Sequence, residues 1–313
     1  MLVKLHPTGP WRIGPDSGDR DRVDRVYHSD TLYSAITGAM AGLGLLHPWL
    51  EATARATEPA VRFSSCFPFH GETLYAVPPR TLWPPPPSAK VRWKGARFVP
   101  MKLIRDLIEA RPVNEDSWSV DGPSECLIAQ GTQGPYRVSV RSSAAVDRHG
   151  SSVAPHSSAC LEFAPGAGLW FQASFSDAIW KDRVLGAIRL LGDSGFGGER
   201  SRGWGHAEVS VSDDLHLATP EGESAWWMLS LFQPAESDTI DWQKGNYAVT
   251  TRGGRAAGSG ELKKSTRMIA EGSVLVSPSQ PSGTVADVAP ENFPHPVYRA
   301  GFALAIQIPW RAS

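Results

Sequence analysis

The stretch Gly195-Phe196-Gly197-Gly198-Glu199-Arg200-Ser201-Arg202-Gly203-Trp204-Gly205 decides how this chain is read. Glycine admits positive φ and lets another molecule approach the main chain closely. Freed N–H groups in such a loop form a concavity suited to anionic oxygens, and arginine adds planar forks that match phosphate. A Rossmann-type phosphate loop lies between a strand and the helix that follows it. Here the order is helix, loop, strand. The Gly-x-Gly-x-x-Gly spacing fails at Arg200, no Gly-Lys-Ser/Thr closes the loop, and Ser201 is not in a nucleophile elbow. Two readings stay open: a cradle for an RNA or DNA backbone, or a structural glycine turn.

Working outward, the preceding helix places Trp180, Val184, Ile188 and Leu191 on one face, with Ser176 as its N-cap and Gly192 past its end. Strands at 168–175 and 207–211 flank the helix and loop. Near the N-terminus an extended segment (2–13) and a charged turn (16–25) lead to a second apolar helical face. It consists of Leu32, Ile36, Ala39/Met40 and Leu43, capped by Ser29 or Asp30 and ending near Gly44. Residues 63–77 read as strand, turn at His70-Gly71, strand. The sum is β-α-β-β-α-β with a long insertion. Within the insertion, Trp83 and the prolines after it predict an extended polyproline surface loop. Residues 97–107, including Lys102, form a short mixed segment. Residues 137–141 and 159–163 read as the arms of a hairpin with its tip near 147–150. The last ~100 residues are strand-rich (225–232, 246–251, 273–277, 297–308) and are expected to form a degenerate second unit of the same kind.

Composition narrows the function classes. The chain has 313 residues, 41% hydrophobic and 20% charged, enough for two ordinary domains with cores. Its net charge of −1 argues against a free-standing basic nucleic-acid binder but not against a local basic groove. Arginine outnumbers lysine 23 to 8, which suits bidentate phosphate contacts and equally suits a GC-rich genome. Three scattered cysteines, Cys66, Cys126 and Cys160, fit a reducing cytoplasm. No charged start followed by an apolar run is visible, and the apolar stretch 35–46 is too short to span a bilayer. No histidine or cysteine cluster has metal spacing, so no metal or cofactor is expected. His28, His149, His156 and His206 are the histidines a nuclease would draw on, and Asp147 is a candidate base or Mg²⁺ ligand. For each of these a structural or surface role is the simpler reading. The basic run Lys263-Lys264-Ser265-Thr266-Arg267 would extend an anionic track if it lay near the glycine loop. Trp83, Trp93 and Trp204 are candidates for base stacking, with core packing as the alternative.

Several segments recur together in a known order: 28–35 (HSDTLYSA), 64–69 (SSCFPF), 146–150 (VDRHG), the glycine loop, 263–265 (KKS) with Met268 and 271–274 (EGSV), and 295–299 (HPVYR). The set resembles the RAMP-superfamily subunit that caps the guide-RNA 5′ end in type III-A (Csm) CRISPR effector complexes, the fourth Csm subunit. The resemblance spans most of the chain, with little in residues 80–135. It implies an α+β protein of two tandem ferredoxin-like (RRM-like, RAMP) domains, 1–212 and 213–313, with a glycine-rich loop. A protruding thumb β-hairpin at about 138–163 (roughly 141–162 by the family's thumb) belongs to the first domain. It also implies no catalytic activity. The partners implied are guide RNA, the polymerase-like large subunit, a backbone RAMP subunit and, near the tag-proximal end, target RNA. The RNA-binding set carried over and read from the residues is His28, Ser29, Lys102, Arg141, Arg148, His149, Gly195, Gly197, Gly198, Arg200, Ser201, Arg202, Gly203, Trp204, Lys263, Lys264 and Arg267. The rival functions are a metal-independent guide-processing endoribonuclease, using His28 or His149, and a protein-only assembly adaptor.

Overall fold

Alternation along β1 (Leu2–Pro7) sets the architecture: Leu2 faces one core while Val3 and Leu5 face another. The computed structural model describes residues 1–85, 87–146, 153–212, 215, 217, 220–256 and 259–310. After β1 come α1 (Ser29–Gly42), α2 (Leu46–Ala52), β2 (Val61–Phe63), β3 (Phe67–His70) and β4 (Thr73–Ala76). The insertion adds α3 (Pro87–Arg92), β5 (Val99–Pro100), α4 (Met101–Ile108), β6 (Trp118–Asp121) and β7 (Cys126–Ala129). A long hairpin of β8 (Tyr136–Val146) and β9 (Val153–Phe163) leads to β10 (Ala167–Phe175), α5 (Ile179–Ser194) and β11 (Ala207–Ser212). The first sheet runs β11-β1-β10-β3-β4-β5, with β2 also on β10.

The second half is built from strands: β12 (Ser224–Met228), β13 (Asp241–Asn246), β14 (Val249–Arg252), β15 (Thr266–Ile269), β16 (Val274–Val276), β17 (Val285–Asp287), β18 (Tyr298–Ala300) and β19 (Ala305–Pro309). Its sheet runs β13-β16-β12-β19, while β14 pairs with β15 and β17 with β18. No helix occurs among its described residues. When each set of four is numbered in chain order among its own members, the strands β11-β1-β10-β3 and β19-β12-β16-β13 have the same order: fourth, first, third, second. The fold is therefore α+β, with its helices confined to the first half.

Each face of the first sheet has its own cover. α1 and α5 pack on one face, where Ile36, Trp180 and Ile188 meet Val3, Leu5, Leu169 and Phe171. On the other face Leu2, Phe67 and Trp170 share a core with Ile104 of α4 and with Ala225, Trp227 and Leu229 of the second sheet. The Trp227 indole N–H donates across this junction to the Val77 carbonyl at 3.1 Å.

Several local expectations are corrected. α5 starts at Ile179 with Asp177, not Ser176, accepting from the first-turn N–H at 3.0 Å. Gly192 lies inside α5; a Cβ there would fall 2.6 Å from the Ala207 carbonyl, so its absence lets the helix press on β11. The helix ends instead at Gly195, with φ +93°. Pro84 lies in a bend and Pro87 opens α3, while the half-buried Trp83 stacks on the buried Trp93 with ring centroids 5.4 Å apart. Pro87 thus belongs to a helix rather than to an extended loop, and Trp93 serves packing rather than base stacking.

α1 also lacks the side-chain cap expected of Ser29 or Asp30; both residues lie within the helix and reach the second half instead. The Ser29 hydroxyl accepts the Leu231 N–H at 3.0 Å, and its N–H donates to Ser65 at 2.8 Å. Asp30 is buried and takes the Arg252 guanidinium at 3.1 Å through both oxygens, together with Arg299. Arg252 also reaches Asp16 at 2.8 Å. Beside them His28 lies between Glu271 at 2.6 Å and Asp24 at 3.1 Å. Burial alone would lower the His28 pKa. The Glu271 charge and the hydrogen bonds that the imidazolium donates to Asp24 and Glu271 outweigh it and raise the pKa to about 9.

Two measurements follow from this clamp. Asp30→Ala strands two buried guanidinium groups and is expected to cost roughly 3–5 kcal/mol in a denaturant titration. The His28 pKa is higher folded than the ordinary 6.5, so its stabilisation is complete below that pH and disappears as pH rises through about 9. The melting temperature should fall across that window, and His28→Asn should flatten this dependence; an equally steep fall in the variant contradicts the assignment.

Candidate nucleic-acid interface

Trp11 and Arg12 form a spacer between the hairpin and the glycine loop. Trp11 exchanges main-chain hydrogen bonds with Leu161 of β9 at 3.0 and 2.7 Å. Its ring stacks on Phe196 with centroids 5.1 Å apart, and its indole N–H donates to the His206 carbonyl at 3.2 Å. Arg12 is buried and donates to the carbonyls of Asp19, Arg20 and Ala159, fastening the charged turn to the hairpin base. The glycine loop closes over this spacer: the N–H of Gly198 goes to the Arg12 carbonyl, that of Gly205 to Pro10, and that of Phe196 to Gly205.

This geometry corrects the expected phosphate cradle. The N–H groups of Gly195, Phe196, Gly198, Arg202, Gly203 and Gly205 already have carbonyl acceptors within the protein. The glycines serve close packing: a Cβ on Gly197 would sit 2.3 Å from the Arg12 carbonyl, and one on Gly205 would sit 2.0 Å from that of Phe196. Trp204 is buried, with the Arg141 guanidinium 5.9 Å from its ring centroid, so it offers no face to a base. What the loop presents outward is the exposed turn Arg200-Ser201-Arg202.

The two arginines differ in what they already hold. Arg202 is ion-paired with Glu199 at 3.2 Å and hydrogen-bonds His156 of β9 at 2.8 Å, which ties the loop to the hairpin. Arg200 has no ion pair among the described residues and borders a groove of about 970 Å³. Its wall is the outer face of α1, where Thr31, Ser34, Ala35, Gly38 and Gly42 are small and Gly38 has open space beyond its Cα. The end of α5 closes the other side, and exposed Arg20 and Arg255 stand with Arg200 along the rim. Small residues facing a wide channel with exposed guanidinium groups suit a polyanion.

The remaining anticipated residues divide. Arg141 lies midway along the paired strands of the hairpin, beside the loop; Glu162 accepts from both Arg141 and Arg137 at 2.9 Å, and these two bonds hold its carboxyl below the ordinary range. His28 borders the groove but is buried in the clamp, and Ser29 is buried beyond reach; neither is an RNA-contacting side chain, nor is His28 free to act as an acid or base. Lys102 is exposed on α4, which packs on β4 and β5 at the opposite end of the sheet from β11, far from this groove. Lys263 is half-buried near Arg255, Lys264 is exposed, and Arg267 is exposed on β15. Arg148, His149 and Asp147 lie outside the described residues. Arg20, Arg252, Arg255 and Arg299 were missed. Arg299 was legible as part of the 295–299 motif, but only the fold reveals that Asp30 is its partner. All three cysteines are free and buried, and no described helix is long and apolar enough to cross a membrane.

Comparison with known proteins agrees with this architecture. Residues 221–308 match the CRISPR Csm4 C-terminal domain. A CRISPR system Csm4 protein of Thermococcus onnurineus is 25% identical over 99% of this chain and 97% of the relative. One of Mycobacterium tuberculosis is 28% identical over 91% of each. Among solved structures, a chain of the Csm3-Csm4 subcomplex of a type III-A interference complex superposes with TM-score 0.66 at 16% identity, covering 99% of each chain. A chain of a Csm1-Csm4 cassette in complex with cA4 gives TM-score 0.62 at 18% identity, covering 100% of this chain and 98% of the other. The class to which the fold and these matches point is that of CRISPR effector subunits. Within it, the chain is similar to Csm4 proteins over most of its length, and residues 221–308 match their C-terminal domain.

If the loop glycines serve packing, their substitutions separate cleanly. Gly203 has φ +76° and open space, so Gly203→Ala should cost only the left-handed penalty of about 1–2 kcal/mol. Gly205→Ala adds a main-chain collision and should lower the melting temperature considerably more. Equal losses for the two variants would contradict the packing role.

Proposed function

We propose that this chain is the RNA-anchoring subunit of a type III-A Csm effector, holding the repeat-derived 5′ tag of the guide RNA in the groove between α1 and the glycine loop. The observation that carries the reading is the join between groove and hairpin. Arg200 faces the groove, and two residues away Arg202 grips β9 at His156, beyond the midpoint of the paired strands, so a strand lying in the groove runs alongside a long hairpin. Single-stranded RNA is held by backbone neutralisation and by splayed bases. The rim arginines supply the first.

The finer parts of the reading are of the same kind. The shared strand order supports two tandem ferredoxin-like units, 1–212 and 213–313, the second with strand pairs where helices would stand. The β8–β9 hairpin is the thumb that sets the boundary between tag and guide. The subunit docks the polymerase-like large subunit and a backbone subunit, a reading supported by the Csm1-Csm4 and Csm3-Csm4 complexes it resembles. In this reading it carries out no chemistry of its own. The near-neutral charge suits a complex member whose surface largely meets protein.

The test is a salt titration of binding to a single-stranded RNA bearing the tag. Arg200→Ala should weaken binding and reduce the slope of log K against log salt by about 0.7, one single-strand phosphate contact. Gly38→Glu, which places a carboxylate on the open face of α1, should weaken binding without loss of fold. Wild-type affinity in both variants would overturn the groove.

A further inference from the structure

Ser34, exposed on α1, borders three concavities at once: the groove, a cationic hollow of about 410 Å³ and an apolar hollow of about 210 Å³. The cationic hollow is enclosed by Arg252, Arg255, Lys263 and Arg299 against Asp16 and Asp30. Both carboxylates are already engaged, Asp30 by Arg252 and Arg299 and Asp16 by Arg252. The charges of Arg255 and Lys263 therefore have no carboxylate partner among the described residues. Burial and the neighbouring Arg299 charge hold the Lys263 pKa below the ordinary lysine value. Arg299 is only 7% exposed, and its guanidinium is taken up by Asp30 and the Gly253 carbonyl, which leaves Arg255 and Lys263 as the hollow's available cations.

The apolar hollow opens directly beside the cationic one. Lys263, Ser34 and Tyr298 line both. Its far wall is Phe293 and His295, packed edge to face with centroids 4.9 Å apart. An anion site and an aromatic site sharing a wall match a phosphate joined to a flat ring. The 295–299 segment, singled out in the sequence without a role, supplies His295, Tyr298 and Arg299, residues of both hollows.

We propose that the paired hollows hold one nucleotide, its phosphate between Lys263 and Arg255 and its base against Tyr298, Phe293 and His295. The inference rests on the groove being an RNA track: Ser34 is the junction, and the nucleotide is one splayed sideways out of the bound strand.

The full-length chain is titrated with tag RNAs carrying a single abasic position, moved along the strand, and separately with AMP. One abasic position should cost roughly tenfold in affinity, about one stacked base. The same position should cost nothing in the Phe293→Ala/His295→Ala double variant, whose changes lie in a surface loop, and Lys263→Ala should weaken every RNA. Equal ratios for wild type and double variant at every position overturn the proposal. If wild type fails to bind RNA at all, the groove reading fails and AMP decides the pocket. Saturable AMP binding lost in Lys263→Ala keeps the nucleotide site with a free nucleotide as its source, and no AMP binding overturns it.

Discussion

One buried carboxylate organises this molecule. Asp30, in the first turn of α1, draws in Arg252 from β14 and Arg299 from β18, so the helix covering the first sheet is fixed to the second half through charge. A pair of this kind is not a cheap source of stability, because desolvating the ions offsets most of their attraction. What it supplies is position. The α1 face opposite the core becomes the wall of the groove, and the same arginines border the hollow behind it. His28, two residues earlier at the N-cap of α1, repeats the arrangement with Glu271.

The glycine loop plays a corresponding part at the other side of the groove. Its glycines permit it to lie flat against Trp11 and Arg12, and that contact brings Arg200 to the rim and Arg202 to the hairpin. Backbone amides are largely consumed by this packing. In the proposed reading, recognition of a polyanion therefore falls to the side chains at the rim. This division between a packed loop and exposed forks explains how so many glycines coexist with so few open N–H groups.

Much of the fold was legible because it depends on local pattern. The helical faces of Leu32, Ile36 and Met40 and of Trp180, Val184 and Ile188, and the hairpin pairing of 137–141 with β9, appear as the sequence suggested. The strand-rich second half was also visible. Other features depended on contacts between distant residues. Ser29 and Asp30 look like a helix cap in sequence and are tertiary ligands in space, because Leu231, Arg252 and Arg299 lie about two hundred residues or more away. Trp204 looked like a stacking platform and is sealed under Arg141. Lys102 shared a charge type with the groove but not its side of the sheet. The resemblance found the right segments while leaving the division between clamp and contact undetermined, since both demand the same polar residues.

The central claim is that RNA lies along the outer face of α1 beside Arg200. Photocrosslinking of 4-thiouridine-substituted tag RNA to the assembled chain, followed by mass spectrometry of the adducts, tests it most directly. The account predicts adducts in peptides spanning residues 31–42, 195–202 and 252–255. Adducts gathered instead on α4 around Lys102, with none along α1, would contradict it.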